Sequence, residues 1–455
     1  MKHEKLSSAL DHISDKYITE AAGKKKRISI GWISSIAALL AVAILGITIL
    51  RPFATVKAVS EADYPKYEWL YRGEQMQQEL PLLTDFFSQS MAQSLSGSDE
   101  NQTYSPINLY MALCLMAETS DSNQQILQLL NADSREDLRQ QANLIWNATY
   151  HDKGDQALLA NSVWLDKGLD YNQQVMDTLA AHYYTDVYTG NLQSKQIGKA
   201  IKSWLNGNTG NMLKSNVDQL DVDDLTVMLL YSTVFFKAKW SESVEFNKAM
   251  NTDGKFHAPG GDVDCTYMTK KEMQTNYYWA EDFGAINLNM KDGSQMWLLL
   301  PDEDKTTDDV LASQALSPML FKNPLENEYA NKKYVKVNLK LPKFDIRSGS
   351  DLKEDLQAMG VTDVFNPKTA DFSGSLYGHK DFGDNFSPYF SAVNQATRVA
   401  IDEKGVTAAS YIELPMAGAA QPPDEIIDFI LDRPFVFVVT NRYDLPLFAG
   451  VVNEP

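Results

Sequence analysis

Cysteine is nearly missing from this chain. Cys114 and Cys265 are the only two in 455 residues, far apart and without metal-type spacing. That excludes a disulfide framework and a cysteine-rich metal cluster, so two separate thiols in packed elements are expected. Histidine is as sparse: six residues, with no pair at i, i+4. The sequence also lacks H-E-x-x-H, G-x-S-x-G, a P-loop, G-x-G-x-x-G and an EF-hand loop. His182 beside Tyr183 and Tyr184 reads as a helix-end or core histidine, and Ser373 and Ser375 have no base near them in "DFSGSLYG". Asp302 and Asp304 sit in the solvated turn "LPDEDKTTDD". No constellation performs chemistry on a substrate, so neither an enzyme, a metal site nor a cofactor is expected.

Positive charge is short too. The formal charge is −19, and residues 1–27 carry a surplus of +3, which leaves −22 on the remainder. A body that acidic repels phosphate backbones, and no basic stripe interleaved with aromatics is present. Nucleic acid is excluded as a partner. Internal repeats and low-complexity tracts are likewise absent, and no inter-domain linker is visible after Met76.

What is present begins with one long apolar run. Ile28–Leu50, "ISIGWISSIAALLAVAILGITIL", holds 23 residues without a charge. At 1.5 Å rise per residue that length spans the hydrocarbon core of a bilayer. "KKKR" (Lys24–Arg27) precedes it, and a cationic flank stays cytoplasmic, placing the large C-terminal part outside. A cleaved signal peptide is the competing view, with "VKA" at Val56–Ala58 as a cleavage site. The run is long for a signal h-region and its leader too extended, so an uncleaved single-pass anchor in the cell membrane is expected. The resulting layout is a cytoplasmic segment at 1–27, a transmembrane helix at 28–50, a linker at 51–75 and one domain at 76–455.

Within that domain, apolar residues recur at helical spacing in 76–96, 106–131, 134–149, 171–183, 195–206, 307–316 and 350–360. Strand-like runs occupy 157–165, 227–237, 264–281, 284–290, 295–301, 333–346, 393–403 and 434–452. Helices dominate the first half and strands the second, which predicts an α+β fold on an extensive mixed or antiparallel sheet. The last 23 residues, "RPFVFVVTNRYDLPLFAGVVNEP", read as a buried hairpin turning around Asn441–Asp444.

Seven stretches then occur in a telling order. They are "YSPINLYMALCLMAE" (104–118), "LLANSVWLDKG" (158–168), "IKSWLNGNTGNML" (201–213), "LLYSTVFFKAKW" (229–240), "LPKFDIRSGSDLKEDLQAMGVTDVFNPKTADFSG" (341–374), "DRPFVFVV" and "GVVNEP". Together they resemble the serpins, the serine protease inhibitor family, across nearly all of 76–455. The resemblance implies the serpin fold: helices on a large main sheet, smaller sheets, and an exposed reactive-centre loop. It assigns "IDEKGVTAASYIELPMAGAAQPPDE" (401–425) as hinge and loop. In this family a protease cuts the loop and is held as an acyl-enzyme while the loop inserts into the main sheet.

The resemblance implies a hinge of Glu403, Gly405, Val406, Thr407, Ala408 and Ala409. Gly405 frees the backbone to turn, and the two alanines bring no bulk. Alternate residues of a strand face opposite ways. Val406, Ala408, Ser410, Ile412, Leu414 and Met416 carry no charge and suit a core. Thr407, Ala409, Tyr411, Glu413, Pro415 and Ala417 suit the other face. Two departures stand out: inhibitory relatives usually have Thr or Ser where this chain has Val406, and Pro415 lacks an N–H for the ladder. The family's fourteen-residue count from Gly405 and the count back from Pro422–Pro423 both place the scissile bond at Ala419–Ala420. Alanine before the bond suits a small primary pocket, so elastase-like or subtilisin-like serine proteases are the expected targets, with papain-like cysteine proteases behind them.

The family's sheet-opening positions read Ser105, Asn108, Ser232 and Gln395 here, without the family's histidine, and Trp240 matches the tryptophan where the loop first inserts. The leading expectation is a monomeric suicide inhibitor outside a bacterial membrane. The alternative is a non-inhibitory serpin-fold binding or scaffold protein at the cell surface, whose loop no longer inserts.

Overall fold

Nearly every side chain of the helix Pro106–Thr119 is buried, the mark of a helix that runs through a core rather than along a surface. Its start is written locally. Ser105 holds an extended backbone, its Oγ accepts from the Asn108 N–H, and Pro106 occupies the first turn, where no N–H is needed. The computed structural model describes residues 56–64, 72–151, 156–210, 225–321, 329–383, 386–406 and 423–455. The apolar run Ile28–Leu50 and the predicted cut Ala419–Ala420 lie outside them. Among the described residues, no helix is long and apolar enough to cross a membrane.

In chain order the first strands are β1 (Lys57–Ser60), β2 (Gln102–Tyr104), β3 (Gln156–Asp166), β4 (Leu169–Tyr171), β5 (Thr185–Gly190) and β6 (Met228–Lys239). Next come β7 (Thr252–Ala258), β8 (Gly261–Trp279), β9 (Phe283–Asn289), β10 (Gln295–Pro301), β11 (Lys332–Pro342) and β12 (Asp345–Asp351). The last are β13 (Leu376–His379), β14 (Asn394–Asp402), β15 (Gly405–Val406), β16 (Ile426–Ile430), β17 (Phe435–Thr440) and β18 (Pro446–Val452). The helices are α1 (Arg72–Leu95), α2 (Pro106–Thr119), α3 (Gln124–Leu129), α4 (Arg135–Thr149) and α5 (Gln173–His182). They continue with α6 (Lys195–Asn208), α7 (Thr307–Ala312), α8 (Leu316–Leu320) and α9 (Lys353–Ala358).

Seven strands form the main sheet in the order β1-β5-β3-β6-β15-β14-β12. It is mixed: β3 runs parallel to β5 and antiparallel to β6. A nine-stranded sheet, β16-β11-β8-β9-β10-β17-β18-β2 with β7 beside β8, makes the second layer. The long β8 and β11 run through it, their register shifting between Val337 and Leu339. Helix α2 packs against β6 of one sheet and β18 of the other, so a largely apolar surface is what both layers need, and its buried Glu118 is paired with Arg139 at 2.8 Å. The closing hairpin is as expected. β17 and β18 are buried throughout, and Asn441 Oδ1 accepts from the N–H groups of Tyr443 and Leu445 at 2.9 and 3.1 Å to set the turn.

Three readings need correction. The stretch taken as a linker at 51–75 contains β1, which pairs antiparallel with β5 at the sheet edge, and Thr55–Pro455 form one compact unit. Tyr64 stacks on Trp146, Tyr150 and Tyr184 at 5.4, 6.2 and 6.1 Å between centroids, contacts that a local pattern does not announce. The helix expected over 106–131 breaks after Thr119. There the Ser120 hydroxyl and the Asp121 N–H both turn to the Asp371 carbonyl, at 2.9 and 2.7 Å. The 350–360 helix starts only at Lys353, because Ser350 and Asp351 still belong to β12. Both cysteines are free, Cys114 buried and Cys265 half-buried.

Candidate functional site in the main sheet

β6 and β14 are each antiparallel to β15 and therefore parallel to one another. β15 is two residues long: Gly405 lies opposite Lys239 and Asp402, and Val406 opposite Ala238 and Ile401. Among the described residues no ladder joins β6 directly to β14. Below β15 the two strands border a gap of about 20 Å³, lined by Val234, Phe235 and Phe236 on one side and Ala396, Thr397 and Arg398 on the other. Among the described residues the main sheet thus has a seam between β6 and β14 whose first rungs are filled by β15.

Backbone contact dictates the glycine at its mouth. Gly405 has φ +151°, and a Cβ there would lie 2.2 Å from the Ala238 carbonyl oxygen and 2.7 Å from Lys239 Cα. Val406 follows with its side chain inward, 4% exposed, beside Ala238 at 0% and Ile401 at 4%. The bulkier valine is buried rather than obstructive.

The turn between β14 and β15 is clamped from several directions. Asp402 Oδ1 accepts from the Lys404 and Gly405 N–H groups at 2.8 and 3.2 Å. Trp240, fully buried, donates its Nε1–H to the Asp402 carbonyl at 2.9 Å and its backbone N–H to the Lys404 carbonyl at 3.1 Å. Phe246 sets its ring edge-on to Trp240 at 6.1 Å and gives its N–H to the Glu403 carbonyl at 3.4 Å. The Glu403 carboxylate pairs with the Lys343 ammonium and accepts from Asn251 Nδ2 at 2.6 Å. Burial works against its charge. The Lys343 ion pair, its own backbone N–H and the Asn251 amide nevertheless hold the carboxyl down to about 2.

Seven residues before Asp402, roughly 23 Å along β14, a second tie comes from the start of α2. Gln395 Oε1 accepts from the Ser105 N–H at 2.8 Å, and its Nε2 donates to the Ser105 carbonyl at 3.1 Å. Ser105 Oγ donates to the Leu447 carbonyl of β18 at 2.6 Å. Ser105 and Gln395 are therefore brought together. Asn108 joins only through its backbone N–H to Ser105 Oγ at 3.3 Å. The register of β15 sets Ser232 level with Gln395 across the seam, yet Ser232 makes no hydrogen bond to the other three among the described residues. Thr407, Ala408, Ala409 and the scissile pair lie outside the described residues. Sequence reasoning missed Asn251, Lys343 and Phe246. Lys343 lies within "LPKF", but no local pattern points to a partner 60 residues away.

Residues 83–455 match the family profile described as Serpin (serine protease inhibitor). The chain belongs to the serpin family. Serpin-ZX of Arabidopsis thaliana is 26% identical over 374 residues, spanning 78% of this chain and 93% of the plant protein. Serpin B7 of Homo sapiens is 24% identical over 377 residues, with 78% and 93% covered. Among solved structures, the thermophilic serpin tengpin in its native state aligns at TM-score 0.72 and 22% identity, covering 87% of this chain and 97% of tengpin. Thyroxine-binding globulin in complex with thyroxine aligns at 0.66 and 19%, with 83% and 99% covered. The α+β serpin fold expected from the sequence is the fold observed, and the family is one of protease inhibitors rather than enzymes.

Proposed function

We propose that this serpin is a suicide-substrate inhibitor of serine proteases with small primary pockets, elastase-like or subtilisin-like, cut at Ala419–Ala420 and trapping the protease by loop insertion. One observation carries the reading: among the described residues the seam between β6 and β14 has no ladder of its own below the two rungs occupied by Gly405 and Val406. A cleaved loop continuing in that register meets the backbone groups of both neighbours. The burial of Val406 supports the inward assignment of Ala408, Ser410, Ile412 and Leu414. In the same register Pro415 comes level with Leu229, near the far end, where its missing N–H costs a late ladder bond and not an early one.

The proposal extends to where the protein acts. Ile28–Leu50 crosses a bacterial membrane once, with residues 1–27 cytoplasmic and the serpin body outside; protease shaving of intact cells should remove the body and spare the N-terminus. Inhibition is tested by mixing the full chain in detergent micelles with an elastase and looking for a complex that survives boiling in SDS. A cut loop beside free, active protease would instead favour a non-inhibitory binding or scaffold serpin.

A further inference from the structure

The register of β15 also fixes where a captured protease ends its travel. Gly405 lies opposite Lys239, so each further residue of an inserted loop descends one residue along β6. Ala419 comes level with Leu225, three residues before β6 begins and roughly 45 Å from the hinge at about 3.3 Å per residue. A protease joined to the Ala419 carbonyl is set down at that pole.

Three of the seven large hydrophobic side chains exposed among the described residues stand on segments tied together near that end: Leu225 at 72%, Tyr377 at 61% and Tyr389 at 46%. One framework carries them. The Asp166 N–H donates to the Val227 carbonyl at 2.9 Å, two residues from Leu225. The Asp166 carboxylate reaches His379 Nε2 at 3.2 Å, at the end of the strand that holds Tyr377 outward. Beneath, the His379 ring packs on Phe382 and Phe386 at 4.7 and 6.2 Å. Tyr389 follows three residues later, fixed by the Phe390 N–H to the Val364 carbonyl at 2.9 Å. Aromatic anchors on a firm base are the side chains that dominate protein interfaces.

We infer that Leu225, Tyr377 and Tyr389 form a receiving surface for the covalently delivered protease. This rests on the inhibitor reading above. The ester between the Ala419 carbonyl carbon and the protease serine oxygen is broken by water, which leaves an Ala419 carboxylate and a free serine hydroxyl. Contacts that exist only after delivery favour the joined state and delay that hydrolysis. They play no part in the first cut.

The test compares the full chain with Tyr377→Ser/Tyr389→Ser and with Leu225→Glu, using elastase. The expected result is complex formation at an unchanged rate, followed by return of active elastase about tenfold faster. Tyr334→Ser, an exposed tyrosine on β11, serves as control and keeps the original lifetime. Unchanged lifetimes in both pole variants would overturn the receiving surface while the inhibitor reading stands. Absence of any complex with the unaltered chain would overturn the inhibitor reading and this inference with it. Self-association of the free serpin that the pole variants abolish would assign the patch to a second copy and likewise overturn the inference.

Discussion

Gly405 and Ala238 approach so closely that a single added carbon on the glycine would sit 2.2 Å from the alanine carbonyl oxygen. The hinge is seated by backbone contact, with no room for a side chain. Gly405→Ala should therefore unseat β15, destabilise the native state by about 1–3 kcal/mol, and raise the serpin consumed per elastase inhibited several-fold. Thermal melting and a stoichiometry titration read the two effects, and a variant matching the parent in both would refute the seating.

Val406→Arg places a charge between the buried Ala238 and Ile401. Burying an unpaired cation costs several kcal/mol, so the loop should stay out and be turned over as substrate. The check is a gel showing cut serpin with undiminished protease activity; normal complex yield would contradict it.

Glu403 supplies a pH dependence with a definite sign. Its carboxyl is held down to about 2 in the folded protein, against about 4.3 when unfolded. The clamp's contribution is full above about pH 4.5 and lost as pH falls through 2. Glu403→Gln should cost about 1–2 kcal/mol near neutrality after solvent screening. Melting curves from pH 7 to pH 2 should show the gap to the parent closing on acidification; a constant gap would mean the ion pair contributes nothing.

Ser105→Ala removes both the cap of α2 and the hydroxyl bond to the Leu447 carbonyl. A lost cap costs about 1 kcal/mol, and the unpaired carbonyl adds to it. Lower stability should come with faster hinge movement, read as quicker complex formation at fixed protease concentration.

Ala419→Arg should redirect the loop from small-pocket proteases to those with an acidic pocket floor. Complexes with trypsin in place of elastase are the expected result. Persistent cleavage elsewhere in the loop by elastase would place the scissile bond at another residue.

Much of this architecture could be read before any coordinates. The mostly apolar "INLYMALCLM" and the alternating or continuous runs of β6, β10 and β17 state their burial in one dimension. The missed parts share a cause. β1 is four residues long and exists only because β5 offers an edge, and β5 itself is a short mixed stretch whose partners lie more than twenty residues away. The hinge glycine and the tryptophan were identified, yet the clamp of Asn251, Lys343 and Glu403 was not, since its members come together only after three separate elements pack. The four sheet-opening positions were named as a set, but only Ser105 and Gln395 bond through a side chain, a distinction that depends on rotamers.

The tie between Ser105 and Gln395 has a consequence of its own. A carboxamide neither gains nor loses a proton at any acidity a cell meets, so this clasp grips equally hard in a neutral medium and in a mildly sour one. It works as a mechanical fastener and not as a sensor, and mild acid alone should leave β14 fastened to the start of α2.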